Sequence, residues 1–348
     1  MRENLYTITK KDLFDLLARI AVSSRVVVPY INGEQLYFGD FDPAKESRIE
    51  LGGIRQAEPI KTFLNHPREM VVNGKTSDSR PLVLVGVKAC DLASLDIQDF
   101  VFLKGDPGDP LYSEKRKRTT IISVDCTYAK ETCYCVAMDG APYPSANFDI
   151  NLSIMDNNIL VEAAGSKAND IISAYRMFFK EATPHHIGIR DSNRNAISGE
   201  VKSFIDKRGT PLAAEIKGKL KENYNKTELW EDMASTCVEC GACNLVCPTC
   251  HCFLLFDESK RPATRGRIWD SCLYKSFARV AGGANPRKHL YERLRNRFDK
   301  KFDFFPEVLG KLACTGCGRC IEACAGDIDI REVLKGVVTG KWNKPPHE

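Results

Sequence analysis

Six cysteines crowd into residues 237–252, "CVECGACNLVCPTCHC". Four of them, Cys237, Cys240, Cys243 and Cys247, with Pro248 behind them, fit the CxxCxxCxxxCP spacing that wraps a [4Fe–4S] cluster. A second run, "CTGCGRCIEAC", repeats that spacing with Cys314, Cys317, Cys320 and Cys324. Two residues between cysteines let successive thiolates curl round one cubane, and small neighbours such as Gly241, Ala242, Gly316 and Gly318 let the backbone approach it. Zinc sites more often pair two CxxC knuckles or include histidine, so the repeated run points to iron–sulfur chemistry. In two-cluster ferredoxins the fourth cysteine of each run serves the other cluster. The expected sets are therefore Cys237, Cys240, Cys243 and Cys324 for one cluster, and Cys314, Cys317, Cys320 and Cys247 for the other. Ala325 stands where a proline is usual, which changes the turn after Cys324 and not the ligand count.

Seven cysteines remain. Cys90 follows the apolar run "PLVLVGVKA" and Cys126 ends "TTIISVDC". Both runs look like strands, and open α/β sheets gather ligands beyond the carboxyl ends of their strands. Cys133 and Cys135 could curl back from the following loop to complete four thiolates for a third [4Fe–4S] cluster; the plainer reading is four buried, inert cysteines. Cys250, Cys252 and Cys272 are expected to pack beside a cluster and donate weak S–H hydrogen bonds that tune it, with ligation or a redox-active thiol group as the alternative. His185 and His186 read as surface residues. The sequence offers no residue for a catalytic role.

The elements that must hold these groups divide the chain in two. No cysteine occurs before Cys90, and eleven of the fifteen begin at Cys237. The expected fold class is α+β: an N-terminal α/β-type domain over residues 1–225, followed by a mainly helical, ferredoxin-like two-cluster domain over residues 226–348. "RVVVPYI", "PLVLVGVKA" and "TTIISVDC" are β-branched runs bounded by turn residues and predict strands. "NFDINLSIMDNNILVEAA" predicts a hairpin turning at 156–158, and "KANDIISAYRMFFKEA" a helix. The N-terminal stretch "MRENLYTITKKDLFDLLARIAV" reads as an amphipathic helix and not as a signal peptide. A polar, Lys-rich helical passage, "AAEIKGKLKENYNKTELWEDMAS", leads into the second domain. There, "DSCLYKSFARVAG" and "NPRKHLYERLRNRFDKKF" have helical patterns between the two cysteine runs. No GxGxxG or GxxxxGK[ST] run marks a nucleotide site. With no apolar run long enough for a bilayer, and with fifteen cysteines better suited to metal than to disulfides, a cytoplasmic location follows. The net charge of +4 is small, so "SEKRKRTT" and "RNRFDKK" read as solvated faces or docking patches and not as a nucleic-acid footprint.

The elements "VKACDLASLDIQDFVFL", "DPLYSEKRKRTTIISVDCTYAKETCYC", "CVECGACNLVCPTCHCFLLFD" and "RIWDSCLYKSFARVAGGANPR", ahead of "CTGCGRCIEAC", resemble an iron–sulfur electron-transfer family. Its members are the beta subunits of sulfhydrogenases and the A component of anaerobic sulfite reductase. The resemblance covers most of residues 80–335 and is most specific in the CPTCxC and WDSC elements. It implies counterparts for Cys90, Cys126, Cys133 and Cys135, favouring the third cluster, and also for Cys250, Cys252 and Cys272. It further implies electron relay in an anaerobic redox complex, between a separate catalytic subunit of hydrogenase or sulfite reductase type and a flavin-containing, nicotinamide-oxidising subunit. Patches such as Lys115 to Arg118 would then be available for docking. The alternative is a self-contained iron–sulfur oxidoreductase acting on a small substrate at a cluster or reactive thiol.

Overall fold

The computed structural model describes residues 4–72, 80–156, 158–258 and 263–342. Two compact units result: Met1–Leu64, Thr76–Glu131 and Gly140–Val201 form the first, and Asn65–Lys75, Thr132–Asp139 and Lys202–Glu348 the second. The boundary expected between residues 225 and 226 lies inside the second unit, between the helices Lys219–Asn223 and Thr227–Ala234.

The strands, in chain order, are β1 (Asn4–Ile8), β2 (Arg25–Asn32), β3 (Gln35–Asp40), β4 (Arg68–Val72), β5 (Leu82–Val87), β6 (Thr119–Val124), β7 (Ile150–Ile154), β8 (Ile159–Ala163), β9 (Lys180–Glu181), β10 (Phe253–Glu258) and β11 (Thr264–Trp269). The first unit holds an eight-stranded sheet in the order β3-β2-β5-β6-β7-β8-β1-β9. Its centre, β2 to β7, is parallel, whereas β3 on one side and β8, β1 and β9 on the other are antiparallel. Alternation sorts the β5 side chains: Val83 and Val85 join a core with Leu13 and Leu17 of the helix Lys10–Ile20, and Leu84 and Val87 join a second core with Leu92 and Leu95 of the helix Ala89–Leu103. Burial on both faces explains why this strand is an almost unbroken apolar run.

The N-terminal stretch is a strand before it is a helix. "NLYTI" alternates in burial and pairs with β8, and the side chain of Thr9 accepts a hydrogen bond from Asp12 N at 3.1 Å, capping the helix that follows. The hairpin forms between β7 and β8, with Met155 N donating to Asn158 O at 2.9 Å; residue 157 lies outside the described residues. "KANDIISAYRMFFKEA" gives a helix only over Ser166–Ala174, followed by a 3₁₀ turn at Arg176–Phe178 and then β9.

The second unit is largely helical. Its leading passage breaks into the helices Ala213–Ile216, Lys219–Asn223 and Thr227–Ala234, interrupted by Gly218 at φ 77°. The helix Leu290–Asp299 packs on Thr227–Ala234, with the Trp230 and Phe298 ring centroids 6.0 Å apart, and continues through a π turn at Lys300–Phe304. Two features differ from the sequence expectation. "DSCLYKSFARVAG" is a series of turns: Ser271 N donates to the Asp270 side chain and Leu273 N to the Ser271 hydroxyl, so side chains take the bonds a helix would have used. Beyond the first cysteine run, β10 and β11 pair antiparallel and β4 adds to β11, giving a three-stranded sheet.

Candidate metal centres

The two cysteine runs share one backbone design. The residue before the second cysteine of each run has positive φ, Glu239 at 56° and Gly316 at 63°, and so does the residue after it, Gly241 at 73° and Gly318 at 76°. Each left-handed step turns the chain so that neighbouring thiols can face one side, a conformation glycine adopts without steric cost. Short helices, Ala242–Leu245 and Arg319–Glu322, then carry the third cysteine of each run and pack against each other. Space as well as φ demands glycine in the second run. A Cβ at Gly316 would stand 2.5 Å from Cys135 N, and one at Gly318 2.3 Å from Thr132 O.

Cys237, Cys240, Cys243 and Cys324, drawn from both runs, line one cavity, together with Cys320 and Arg297. Apolar Leu273, Leu294, Phe298, Ile328 and Ile330 complete much of its wall, and Cys240 is exposed at its rim. Burial pushes the thiols of Cys237 and Cys243 up, and for both the charge on Cys324 adds to the effect. Ile328 N donates to Cys324 Sγ at 3.2 Å, a bond suited to a thiolate.

The other set is more enclosed. Cys247 and Cys317 are buried, Cys314 and Cys320 partly so, and Cys247 bears electrostatically on both of the latter. Burial raises the Cys314 and Cys320 thiols. Cys247 is held well below the usual thiol range, first by a hydrogen bond with Cys250, against its burial, and then by Lys301, Arg297 and Thr249. Lys301 Nζ donates to Cys247 Sγ at 3.2 Å, to Thr249 Oγ1 at 2.8 Å and to Ala313 O at 3.1 Å. The Tyr134 hydroxyl lies 3.2 Å from Cys314 Sγ. Burial, and then the neighbouring Cys314 and Cys320 charges, push that phenol up, so it keeps its proton. Its backbone N–H donates to Gly316 O at 2.9 Å, and Thr132 bonds Glu322 at 2.6 Å. The segment bearing Cys133 and Cys135 thus lies against the second run.

Sulfurs from both runs line one cavity, Cys237, Cys240 and Cys243 from the first and Cys320 and Cys324 from the second. Among the described residues, Arg297 Nη2, buried on the wall of the first cavity, has no hydrogen-bond partner, and neither has Thr315 Oγ1 beside Cys314. Sulfides and thiolates are the acceptors such donors lack.

Asn244 organises two of the leftover cysteines. Its Nδ2 donates to Ser271 Oγ at 2.9 Å and to Cys272 Sγ at 3.2 Å, and its Oδ1 accepts from Arg297 Nε at 2.9 Å and from the Cys250 thiol at 3.6 Å. Cys252 is half-buried. In the first unit, Cys90 is the second residue of the helix after β5, and Cys126 follows β6 with one residue between. The residue between, Asp125, accepts from Asn151 at 2.9 Å, Ser153 at 2.7 Å and Arg194 at 2.8 Å. Lys88, wholly buried, donates to the carbonyls of Leu51, Gly52 and Asp125 at 2.9, 3.2 and 3.2 Å. Burial pulls the Lys88 ammonium down, while the charges of Cys126, Asp125, Glu50 and Cys90 work to hold it up.

One sequence expectation about charge needs correction. "RNRFDKK" is not a solvated face: at four-residue spacing Arg297 and Lys301 are each 5 % exposed, and Arg293, one turn earlier, is 2 % exposed. The patch Lys115 to Arg118 is partly spent within its own unit, Arg116 on Asp99 and Arg118 on Glu114 and Arg80 O. His185 is exposed and His186 partly so, with Thr183 N donating to His186 Nδ1 at 3.1 Å. Among the described residues no helix is long and apolar enough to cross a membrane.

Comparison with known proteins agrees with this geometry. Residues 236–328 match the family described as a 4Fe-4S dicluster domain, a span that begins just before Cys237 and ends past Cys324. Over 342 aligned residues the chain is 29 % identical to the sulfhydrogenase 2 subunit beta of Pyrococcus furiosus, covering 92 % of this chain and 95 % of the relative. Over residues 236–328 the chain is thus similar to 4Fe-4S dicluster domains, and over most of its length to a sulfhydrogenase beta subunit.

Proposed function

We propose that the chain is the electron-relay subunit of an anaerobic redox complex, standing between a separate catalytic subunit of hydrogenase or sulfite reductase type and a flavin-containing, nicotinamide-oxidising subunit. The observation that carries this reading is the cavity lined by Cys237, Cys240, Cys243 and Cys324, three cysteines of one run and the last of the other. Cys314, Cys317, Cys320 and Cys247 would hold the second cluster. Bound there, a [4Fe–4S] cluster supplies one-electron storage at a potential its surroundings set. The residues of the chain divide the labour: the first set opens at exposed Cys240, and the second is enclosed by Tyr134, Thr249 and Lys301. A third cluster on Cys90, Cys126, Cys133 and Cys135 is part of the proposal, supported by the family resemblance and by the strand-end positions of Cys90 and Cys126 in their own unit. A self-contained enzyme at Cys250 and Cys272 finds less support, because Asn244 already engages both thiols.

Anaerobically purified chain should carry at least about eight irons with matching sulfide, no flavin, and no nicotinamide-dependent turnover of its own. The native complex should co-purify with a flavoprotein and a catalytic subunit. Stoichiometric zinc with little sulfide would remove the clusters. A lone chain with bound flavin and steady turnover would replace the relay with an enzyme.

A further inference from the structure

The helix Leu290–Asp299 and the π turn after it turn a basic face inward. Arg293, Arg297 and Lys301 recur at four-residue spacing and are all buried, whereas cations on a helix of a small unit ordinarily extend to water. Arg293 has ordinary structural partners: Glu239 at 2.9 Å and the carbonyls of Leu273, Arg287 and Lys288. Arg297 and Lys301 do not. Lys301 meets a thiol sulfur and two uncharged oxygens. Arg297 meets the neutral Asn244 amide through Nε and leaves Nη2 without a partner among the described residues, on the wall of the first cavity, where Cys243 and Cys320, one from each run, are its leading electrostatic neighbours. Burying a guanidinium without a carboxylate is costly unless another anion compensates it. The anions available here are the thiolates and whatever they hold.

We propose that Arg297, held in place by Asn244, is the positioning residue that sets the reduction potentials of both clusters of the second unit, and that Lys301 adds a separate increment at the second cluster alone. This rests on the reading of the two cysteine sets as cluster ligands. A four-thiolate cluster becomes more negative when reduced, so a fixed buried cation stabilises the reduced form and raises the potential. A cation facing cysteines of both runs acts on both clusters. The Lys301 ammonium, in contact with Cys247, acts at the set to which Cys247 belongs. Low dielectric around these groups keeps the effect from being screened by salt.

The test is a redox titration of the anaerobically prepared full-length chain, followed by electron paramagnetic resonance, for Arg297→Gln, Arg297→Lys and Lys301→Met. Arg297→Gln is expected to lower both potentials, Arg297→Lys to keep both near the starting values, and Lys301→Met to lower one and leave the other. Unchanged potentials in an iron-replete Arg297→Gln chain would overturn the proposal, as would equal displacement of both clusters by Lys301→Met. If Arg297→Gln loses its iron, retention by Arg297→Lys at near-original potentials supports the role of charge. Equal loss in both variants would make Arg297 a structural brace and overturn it. A parent chain with no iron at all would instead defeat the cluster reading beneath.

Discussion

Tyr134 shows how far a single residue's role can lie from its sequence neighbours. Flanked by Cys133 and Cys135, it directs its hydroxyl to Cys314, 180 positions later, at 3.2 Å. A hydrogen bond to a ligand sulfur withdraws electron density and raises a cluster's potential. Tyr134→Phe keeps the ring that fills the buried position and removes only the donor. It should leave iron content unchanged and lower the potential of one cluster, that held through Cys314, as measured by the same redox titration. A chain whose two potentials both stay fixed would confine Tyr134 to packing. The eight cysteines of the two runs were legible from sequence because their spacing is local. Tyr134, Asn244 and Lys301 were not, because each acts on sulfur through contacts that only the folded chain makes.

Charge at the level of elements was the least legible feature. "SEKRKR" and "RNRFDKK" look alike as strings, yet the first lies in a helix whose Arg116 and Arg118 engage ion pairs at the surface of the sheet unit, and the second buries two of its cations. Composition does not reveal which side of a helix faces inward; the apolar partners Leu294, Phe298 and Phe302 at the same spacing were the available signal. The three-stranded sheet repeats the contrast. On β11, Arg267 is buried and bonds Glu69 of β4 through Nε at 2.8 Å, while Arg265, two residues away, pairs with Asp257 in open solvent. Removing one partner of a buried ion pair leaves the other charge desolvated, at about 3–5 kcal/mol. Arg267→Met should therefore cost about that much in chemical denaturation of the iron-loaded chain, and Arg265→Met should leave the midpoint unmoved. Equal effects from the two would mean that the Arg267–Glu69 pair is as solvated as the exposed one.

At the scale of the molecule, the sheet of the first unit is specified by apolar strands that the sequence announces, and its cores need no metal to close. The third cluster is proposed on cysteines between residues 90 and 135, and Cys126→Ser tests it: iron should fall by about one cubane, about four irons, with the spectra of the other clusters retained. An unchanged iron count would return Cys90, Cys126, Cys133 and Cys135 to a structural role.

The second unit carries a different liability. Eight cysteines, Arg297 and Lys301 converge there, and without clusters the two cations face thiols that burial largely keeps protonated, Cys247 excepted. Metal binding at such sites is coupled to folding, because the free energy of ligation offsets the burial of charge. Chelating the iron anaerobically should therefore loosen the second unit before the first. Hydrogen exchange would show it as lost protection in the helices Thr227–Ala234 and Leu290–Asp299, with β5 and β6 still protected. Protection lost at the same rate in both units would show instead that the clusters stabilise the chain as a single cooperative body.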